Sequence, residues 1–517
     1  MPVNVKVSPV LCAGFGAALS YYVFFPLFRS GHINAGVLLL PVFASVAALC
    51  FFRVLASLPQ VGDFGPKALR FIRVLPLLLT AFTAGLALGT GAGARASSSP
   101  VFGLPPETIT GVSGTLLDDP RFVSGGSAMV TVLPNAFTGA GGVRAARTGP
   151  GGEVTVFFRA ENADRLREFG RGARVFADGR LQKSAAGAFA GTYTFSADSL
   201  HVTSPAPSLD RFRTGVRLGL AERFAKYSLN GDAGDAAWGG LALALLLGVR
   251  DNLDSGLTDL YRGAGISYIL ALSGMHLAVI IALVSFLLKK PLGLRPAAVA
   301  GALIIVAYCF IVGPLPSLYR SALMYVLGVM AVLGMLKRES LSVLSMAFLI
   351  QLALTPRAGF SLSFILSYVA MAGILVLGKS LGGIFRGVIP RFLLGPFALS
   401  LGAFIGTAGV VAAVFGDLRP AGIFAGLVVA PLTTVFMVGS MLWLGVDALF
   451  PALSPLLARP LSLMYRLMEE TARLAGFLPG INANPYLVLL ASLLIAALII
   501  RFDFLLRERR NRLEPFA

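Results

Sequence analysis

The 517-residue chain is 56% hydrophobic and only 13% charged, and its mean hydropathy is +0.80. A soluble globular protein carries about a quarter charged residues, so this composition excludes that class and indicates a membrane protein. The 43 Lys and Arg residues outnumber 25 Asp and Glu residues, which is typical both of cytoplasmic membrane loops and of proteins that bind polyphosphate chains. His32, His201 and His276 are far apart in sequence, so we predict neither a histidine-cluster metal site nor a cofactor.

Residues 1–95 form an N-terminal membrane segment with three apolar stretches, near 8–28, 34–56 and 70–92. Each has roughly the 20 residues that a helix needs to cross a bilayer. The loop between the second and third stretches carries Arg53, Lys67, Arg70 and Arg73. The positive-inside rule therefore predicts a cytoplasmic N-terminus and an extracytoplasmic position for the chain after the third stretch.

Residues 96–207 are polar and contain five short stretches in which apolar and polar residues alternate: 108–117, 129–133, 154–159, 173–181 and 192–196. Gly- and Pro-containing turns separate them, and one helical pattern covers 162–169. This order predicts a small extracytoplasmic β-barrel.

Residues 208–236 contain a basic amphipathic helix. Phe212, Val216, Leu220 and Phe224 share one face, and most of the arginines lie elsewhere. Such a helix either lies along the membrane surface or packs on the barrel, and the sequence leaves both open.

Residues 237–517 form a second membrane domain, with spans predicted near 238–249, 265–288, 296–313, 317–336, 340–355, 361–378, 393–415, 421–449 and 485–502. Lys and Arg residues cluster at alternate ends of these spans, as consistent threading requires. Pro431 interrupts the long stretch 421–449, which predicts a hairpin or a re-entrant pair there. The pattern at 464–474 is amphipathic rather than spanning.

Polar residues inside the spans are the candidates for a functional path. A charged group in hydrocarbon costs at least about 2.5–3.5 kcal/mol and usually faces a partner or a water-filled cavity. Helical spacing predicts that Gly265, Tyr268, Ser273 and His276 share one face, and Gly274 would allow a close backbone approach or a break there. The serines otherwise have an ordinary role in helix packing. The candidates are Tyr268, Ser273, Gly274, His276, Ser317, Tyr319, Arg320, Ser321, Ser363 and Tyr368, with Gly265 and Pro431 as structural positions.

Residues 373–380 match the pattern G-x-x-x-x-G-K-S of phosphate-binding loops. A working loop of that kind follows a strand, whereas four aliphatic residues fill the loop positions here and complete a span. We therefore predict no nucleotide site at this stretch.

Four ordered motifs resemble those of ComEC-type competence proteins. The first comprises Leu-Leu-Leu-Gly at 245–248, Arg250, Leu253, Tyr-Arg at 261–262, Gly265 and Ala-Leu-Ser-Gly-Met-His at 271–276. The others are Ser-Leu-Tyr-Arg-Ser-Ala-Leu-Met at 317–324, Phe-Ser-Leu-Ser-Phe at 360–364 and the stretch 422–431, which ends in Pro. The chain departs from the family pattern at Ala264, where threonine is common, at Tyr268, where histidine is usual, and at Gly426, where asparagine is usual.

The resemblance implies a polytopic α-helical protein of the bacterial inner membrane with an inserted OB-like β domain. It implies a channel, homo-oligomeric or monomeric, that imports single-stranded DNA during natural transformation. Membrane lipid, an extracytoplasmic DNA receptor, a cytoplasmic ATPase and a separate nuclease are the expected partners. Many family members carry a C-terminal metallo-β-lactamase-like domain, which we expect to be lacking here, so no catalytic residue is expected.

Two other functions use the same residues. A secondary transporter of a small anion would bind its substrate at polar residues in mid-membrane. A membrane-embedded enzyme for lipid-linked substrates would use Ser273 and His276 as nucleophile and base, and would need a third group to orient the pair.

Overall fold

The computed structural model describes Gly14, Ala17, Ala18 and residues 105–513, except 124–126, 140–141, 143, 147–152, 160–169, 184–192, 228–237, 251–252, 314 and 335–338. The three predicted N-terminal spans, apart from three residues of the first, and the predicted helix 162–169 lie outside the described residues.

The β domain contains a seven-stranded sheet built from alternating buried and exposed residues, as the sequence predicts. Its strands are β1 (Ile109–Leu116), β2 (Arg121–Val123), β3 (Ser127–Gly139), β4 (Arg144–Ala146), β5 (Val154–Arg159), β6 (Arg174–Lys183) and β7 (Tyr193–Ser204). Val112, Val156, Val175 and Phe195 point into one buried core. The five predicted strands are present, and two short strands, β2 and β4, pair with β3.

The pairing of the five longer strands closes on itself. β1 is antiparallel to β3 and to β6, β3 is antiparallel to β5, and β6 is antiparallel to β7. A parallel pairing of β5 with β7 completes the circuit.

Twelve helices follow in the described part of the chain. They are α1 (Ser208–Ala225), α2 (Trp238–Leu247), α3 (Ser255–Gly263), α4 (Gly274–Leu292), α5 (Leu294–Val312), α6 (Pro316–Val332), α7 (Ser340–Leu354), α8 (Leu362–Ile384), α9 (Arg391–Phe415), α10 (Ala421–Leu449), α11 (Ser454–Gly476) and α12 (Pro485–Leu513). Six of these, α4, α5, α8, α9, α10 and α12, are long and apolar enough to cross a membrane, and α2, α6 and α7 are shorter apolar helices. The chain is therefore a mostly helical, multi-pass membrane protein with a β-sheet region.

The predicted span 265–288 is wrong at its start. Gly265 has a φ of +73°, a short 3₁₀ turn covers Ser267–Ile269, and helix α4 begins only at Gly274. Gly265 and Ser273 therefore do not share a helical face. The preceding helix, α3, was not predicted; Asp254 caps it by accepting a hydrogen bond from the backbone N–H of Gly256 at 2.9 Å.

Helix α10 is one continuous helix of 29 residues, so the predicted hairpin or re-entrant pair is also wrong. Pro431 lies inside it, where the proline removes one backbone hydrogen bond and leaves the helix otherwise intact. The amphipathic pattern predicted at 464–474 lies in α11, which buries Leu461, Tyr465 and Met468 on one side.

Within the described residues, the helices bury three apolar clusters. The largest joins α1, α2, α3, α4, α5, α6, α10 and α11, and smaller ones lie between α7 and α8 and between α8, α9 and α12. Helices α8 and α9 approach closely through glycines: a β-carbon at Gly373 would collide with the carbonyl oxygen of Gly402 and lie 3.2 Å from the α-carbon of Gly406. As predicted, the stretch 373–380 is helical rather than a phosphate-binding loop.

Helix α1 ties the β domain to the membrane helices. Asp119, which follows β1, accepts hydrogen bonds from Arg213 at 2.5 Å and from Arg217 at 2.9 Å. The Arg213 guanidinium lies 5.8 Å from the ring centre of Phe310 on α5. Arg213 is 3% exposed and Phe212 is 63% exposed, which reverses the predicted faces at this turn because Asp119 compensates the buried charge.

Candidate functional site

The candidate site is a polar cluster between α4, α6, α7 and α8, at the end of the bundle where α4, α6 and α8 begin. Hydrogen bonds hold the non-helical chain before α4 in place. Arg250 donates to the carbonyl of Leu270 at 3.0 Å, and Ser317, in the first turn of α6, donates to the carbonyl of Leu272 at 2.6 Å. These bonds satisfy carbonyl groups that a continuous helix would have paired internally, so they stabilise the break.

Arg320 lies at the centre of the cluster and is 5% exposed. Its Nε donates to Ser367 Oγ on α8 at 2.7 Å, its Nη2 donates to Ser321 Oγ at 3.2 Å, and its Nη1 lies 3.4 Å from the thioether sulfur of Met324. No carboxylate among the described residues forms an ion pair with it. The positive charge is therefore buried among neutral acceptors, one of them a weak one.

Gly274 allows Arg320 to reach the first turn of α4. A β-carbon at Gly274 would lie 2.7 Å from Ser321 Oγ and 3.1 Å from Arg320 Nη2. The first turn of a helix presents unpaired N–H groups and a partial positive charge. Two positive groups thus meet at this point of the structure.

His276 lies in the first turn of α4 and is fully buried. Its Nδ1 accepts a hydrogen bond from the backbone N–H of Ser273 at 2.9 Å, so the neutral ring carries its proton on Nε2. Nε2 has no hydrogen-bond partner among the described residues.

Ser273 Oγ lies 3.0 Å from His276 Nδ1, within reach of a nucleophile and its base. The two residues also form a capping box at the start of α4. A catalytic base is normally oriented by a third group on its other nitrogen, and no such group contacts Nε2 in the described part of the chain.

Gln351 and Tyr368 extend the network to α7. Gln351 Nε2 donates to the carbonyl of Pro316 at 2.9 Å, and the Tyr368 hydroxyl donates to Gln351 Oε1 at 2.8 Å. The rings of Phe348 and Phe364 pack against Tyr368 at centroid distances of 5.2 and 4.7 Å. One side of the cluster is thus polar and fully hydrogen-bonded, and the layer behind it is aromatic.

The family model of the competence proteins matches residues 245–509, just over half of the chain, and the whole polar cluster lies inside this range. The chain belongs to the competence protein family. An uncharacterised protein of Aquifex aeolicus (strain VF5) is 29% identical over 246 residues, which cover 47% of this chain and 56% of that protein. The match therefore spans little more than half the length of this relative.

Several of the candidate residues predicted for this competence protein meet in the cluster. They are Ser273, Gly274, His276, Ser317, Arg320, Ser321 and, through Gln351, Tyr368. Gln351 was not predicted, although it is a buried amide in an otherwise apolar helix, and that contrast was visible in the sequence.

Other predicted residues lie elsewhere. Ser363 is exposed on α8, whereas Ser367, one turn later, contacts Arg320. Tyr319 is half-buried against the largest apolar cluster. Tyr268 and Gly265 contact α10 at Gly426 and Gly422, and Pro431 lies within that helix.

Proposed function

We propose that this competence protein is an inner-membrane channel that imports single-stranded DNA during natural transformation. The observation that carries the proposal is Arg320: a buried guanidinium, between apolar helices, with no carboxylate partner among the described residues. A structural arginine in this setting is normally paired with a carboxylate. An arginine without a carboxylate partner favours a transient anionic ligand, and a phosphate chain is such a ligand.

The surroundings of Arg320 suit a path for DNA conduction rather than a site of tight binding. A phosphate group cannot enter hydrocarbon unpaired, because burying its charge costs many kcal/mol. Hydroxyl groups of Ser317, Ser321 and Ser367 and the amide of Gln351 supply neutral hydrogen-bonding groups around Arg320. Few fixed charges keep the affinity low enough for the polymer to leave.

We assign the β domain as an OB-like barrel on the extracytoplasmic side. The closed circuit of five strands, with β5 parallel to β7, supports a barrel of this type. Such barrels bind single strands in many proteins, which fits a receiving domain. Lys289 and Lys290 at the end of α4 and the basic end of α12 support a cytoplasmic position for those termini.

The proposal assigns no chemical step to the chain itself. An extracytoplasmic receptor, a cytoplasmic ATPase and a separate nuclease would deliver, pull and process the DNA. Membrane lipid surrounds the helices in this arrangement, and both a monomer and a homo-oligomer are compatible with it.

Transformation of a deletion strain with labelled DNA tests the function. The strain is complemented with wild type, Arg320→Ala, or Arg473→Ala, an exposed arginine on α11 that serves as the matched control. We expect Arg320→Ala to abolish entry of DNA into the cytoplasm while surface-bound DNA and protein level stay unchanged. Normal entry with Arg320→Ala would contradict the proposal. Loss of small-anion uptake with intact DNA entry would favour a secondary transporter instead.

A further inference from the structure

We infer that the start of α4 and the Arg320 guanidinium together form a binding site for one phosphodiester group. The inference rests on the proposed function only in naming DNA as the source of that group. The physical basis is the meeting of two positive groups in a buried place, with no anion among the described residues to balance them.

The helix supplies the first part of the site. Helix α4 has 19 residues, and its amino terminus carries a partial charge of roughly +0.5. The capping box pairs the backbone N–H groups of Ser273 and His276, so Gly274 and Met275 supply the remaining donors of the first turn. Helix termini of this kind bind phosphate through their backbone N–H groups. Gly274 at the first position lets the side chains of Ser321 and Arg320 approach the backbone there, since a β-carbon would lie 2.7 Å from Ser321 Oγ and 3.1 Å from Arg320 Nη2.

Arg320 supplies the second part. Its side chain is 5% exposed, and its Nη2 points at the helix terminus, as the 3.1 Å distance to the β-carbon position of Gly274 shows. Its Nη1 has only the weak thioether acceptor of Met324. A guanidinium fork matches two oxygens of a phosphate, which is a stronger pairing than a halide offers.

His276 supplies a third donor in the same first turn of α4. Its Nδ1 is occupied by the backbone N–H of Ser273, so Nε2 carries the proton. Nε2 is buried and has no acceptor in the described part of the chain. A buried donor without an acceptor is rare in folded proteins and indicates a missing partner. One full positive charge and two neutral donor groups suit a singly charged phosphodiester.

The test uses the purified full-length chain in detergent. Thermal unfolding is measured in sodium phosphate and in sodium chloride of equal ionic strength. Fluorescence anisotropy then measures binding of a labelled short oligothymidylate and of the same oligomer with an uncharged methylphosphonate backbone. We expect phosphate to stabilise the wild type and the charged oligomer alone to bind.

Variants locate the effect. Arg320→Met should weaken binding of the charged oligomer about 10-fold or more, the usual effect of losing a charge-assisted hydrogen bond. Arg320→Lys, which keeps the charge and loses the fork, should give an intermediate loss. Gly274→Ala should weaken binding because its methyl group displaces Arg320 from the helix. Arg473→Met, with the same loss of charge at an exposed position of α11, should bind like wild type.

Three results would overturn the inference: no stabilisation of the wild type by phosphate, equal binding of the uncharged oligomer, or equal losses in the Arg473 and Arg320 variants. Binding of glycerophosphoglycerol, the soluble form of a lipid headgroup, without binding of the oligomer would assign the phosphodiester to lipid and overturn DNA as its source. DNA entry that depends on Arg320 without phosphate binding would overturn this site and leave the channel standing. Phosphate binding at this site in a protein that supports no DNA entry would overturn the channel and leave the binding site standing.

Discussion

The hydroxyl group of Tyr268, in the turn before α4, occupies the space beside the α-carbon of Gly426 on α10. A β-carbon built at Gly426 would collide with that hydroxyl oxygen. Both positions are among the three, with Ala264, at which the sequence departs from the family pattern, and histidine and asparagine are usual at these two. The structure gives the departures a common reason: the longer tyrosine fills the space that a side chain at 426 would need.

The first prediction follows from this contact. Gly426→Asn should lower the free energy of unfolding by about 1–3 kcal/mol, because the new side chain overpacks against Tyr268. Combining it with Tyr268→His should restore most of that loss, since the shorter ring vacates the space. Thermal unfolding of the four proteins in detergent gives the coupling energy. Additive effects of the two substitutions would show that the positions are independent.

The second prediction separates two serines on α8. Ser367→Ala removes the acceptor of Arg320 Nε at 2.7 Å and leaves a buried charged donor unpaired, which costs about 1–3 kcal/mol or more. Ser363→Ala is the matched control, because that side chain is exposed one turn earlier. We expect lower thermal stability and reduced DNA entry for Ser367→Ala alone. Equal effects of the two substitutions would remove Ser367 from the site.

Ser363 and Ser367 also show a limit of predicting contacts from the sequence. Ser363 and Ser367 are four residues apart on one helical face, so periodicity cannot tell them apart. Only the depth at which α6 crosses α8 brings Ser367, rather than Ser363, to Arg320. Helical periodicity likewise does not identify the contacts of Gln351, because its partners Pro316 and Tyr368 come from two other helices.

Most of the fold was predictable from local pattern. Alternation located the five longer strands, and apolar length located most helices of the second membrane domain, because both signals depend on nearby residues. The break at Gly265 was not predictable, since 266–272 is apolar apart from Ser267 and Tyr268 and contains no proline. Contacts distant in sequence hold it: Gly422 against Gly265, and Ser317 on the carbonyl of Leu272. Pro431 led to the opposite error. The sequence predicted a break at a place where the helix is continuous, because a membrane helix tolerates the loss of one hydrogen bond.

The third prediction concerns the contact between α8 and α9. Gly373→Ala should destabilise the protein by about 1–3 kcal/mol, because the added methyl group meets backbone atoms of Gly402 and Gly406, which cannot rotate away. Gly382→Ala, on the same helix, is the control, since nothing lies within 4 Å of its β-carbon position. Thermal unfolding in detergent compares them. A stability for Gly373→Ala equal to that of the control would contradict the close packing.

The fourth prediction concerns the attachment of the β domain to the helices. The carboxylate of Asp119 is 8% exposed and pairs with both Arg213 and Arg217 on α1. Removing one partner of a buried ion pair costs about 3–5 kcal/mol, because the remaining charge stays buried. Asp119→Asn should therefore lower the melting temperature and loosen α1, and Asp198→Asn, on the exposed side of β7, should do neither.

Hydrogen–deuterium exchange measures this loosening directly. In Asp119→Asn the backbone of the first half of α1 should exchange faster than in the wild type, while α8 and α9 should exchange at the same rate. The contrast matters because Arg213 also lies on Phe310 of α5, so its position links the β domain to the membrane helices. Unchanged exchange in α1 would mean that apolar contacts such as Phe224 with Trp443, at a centroid distance of 4.9 Å, hold this helix without the ion pair.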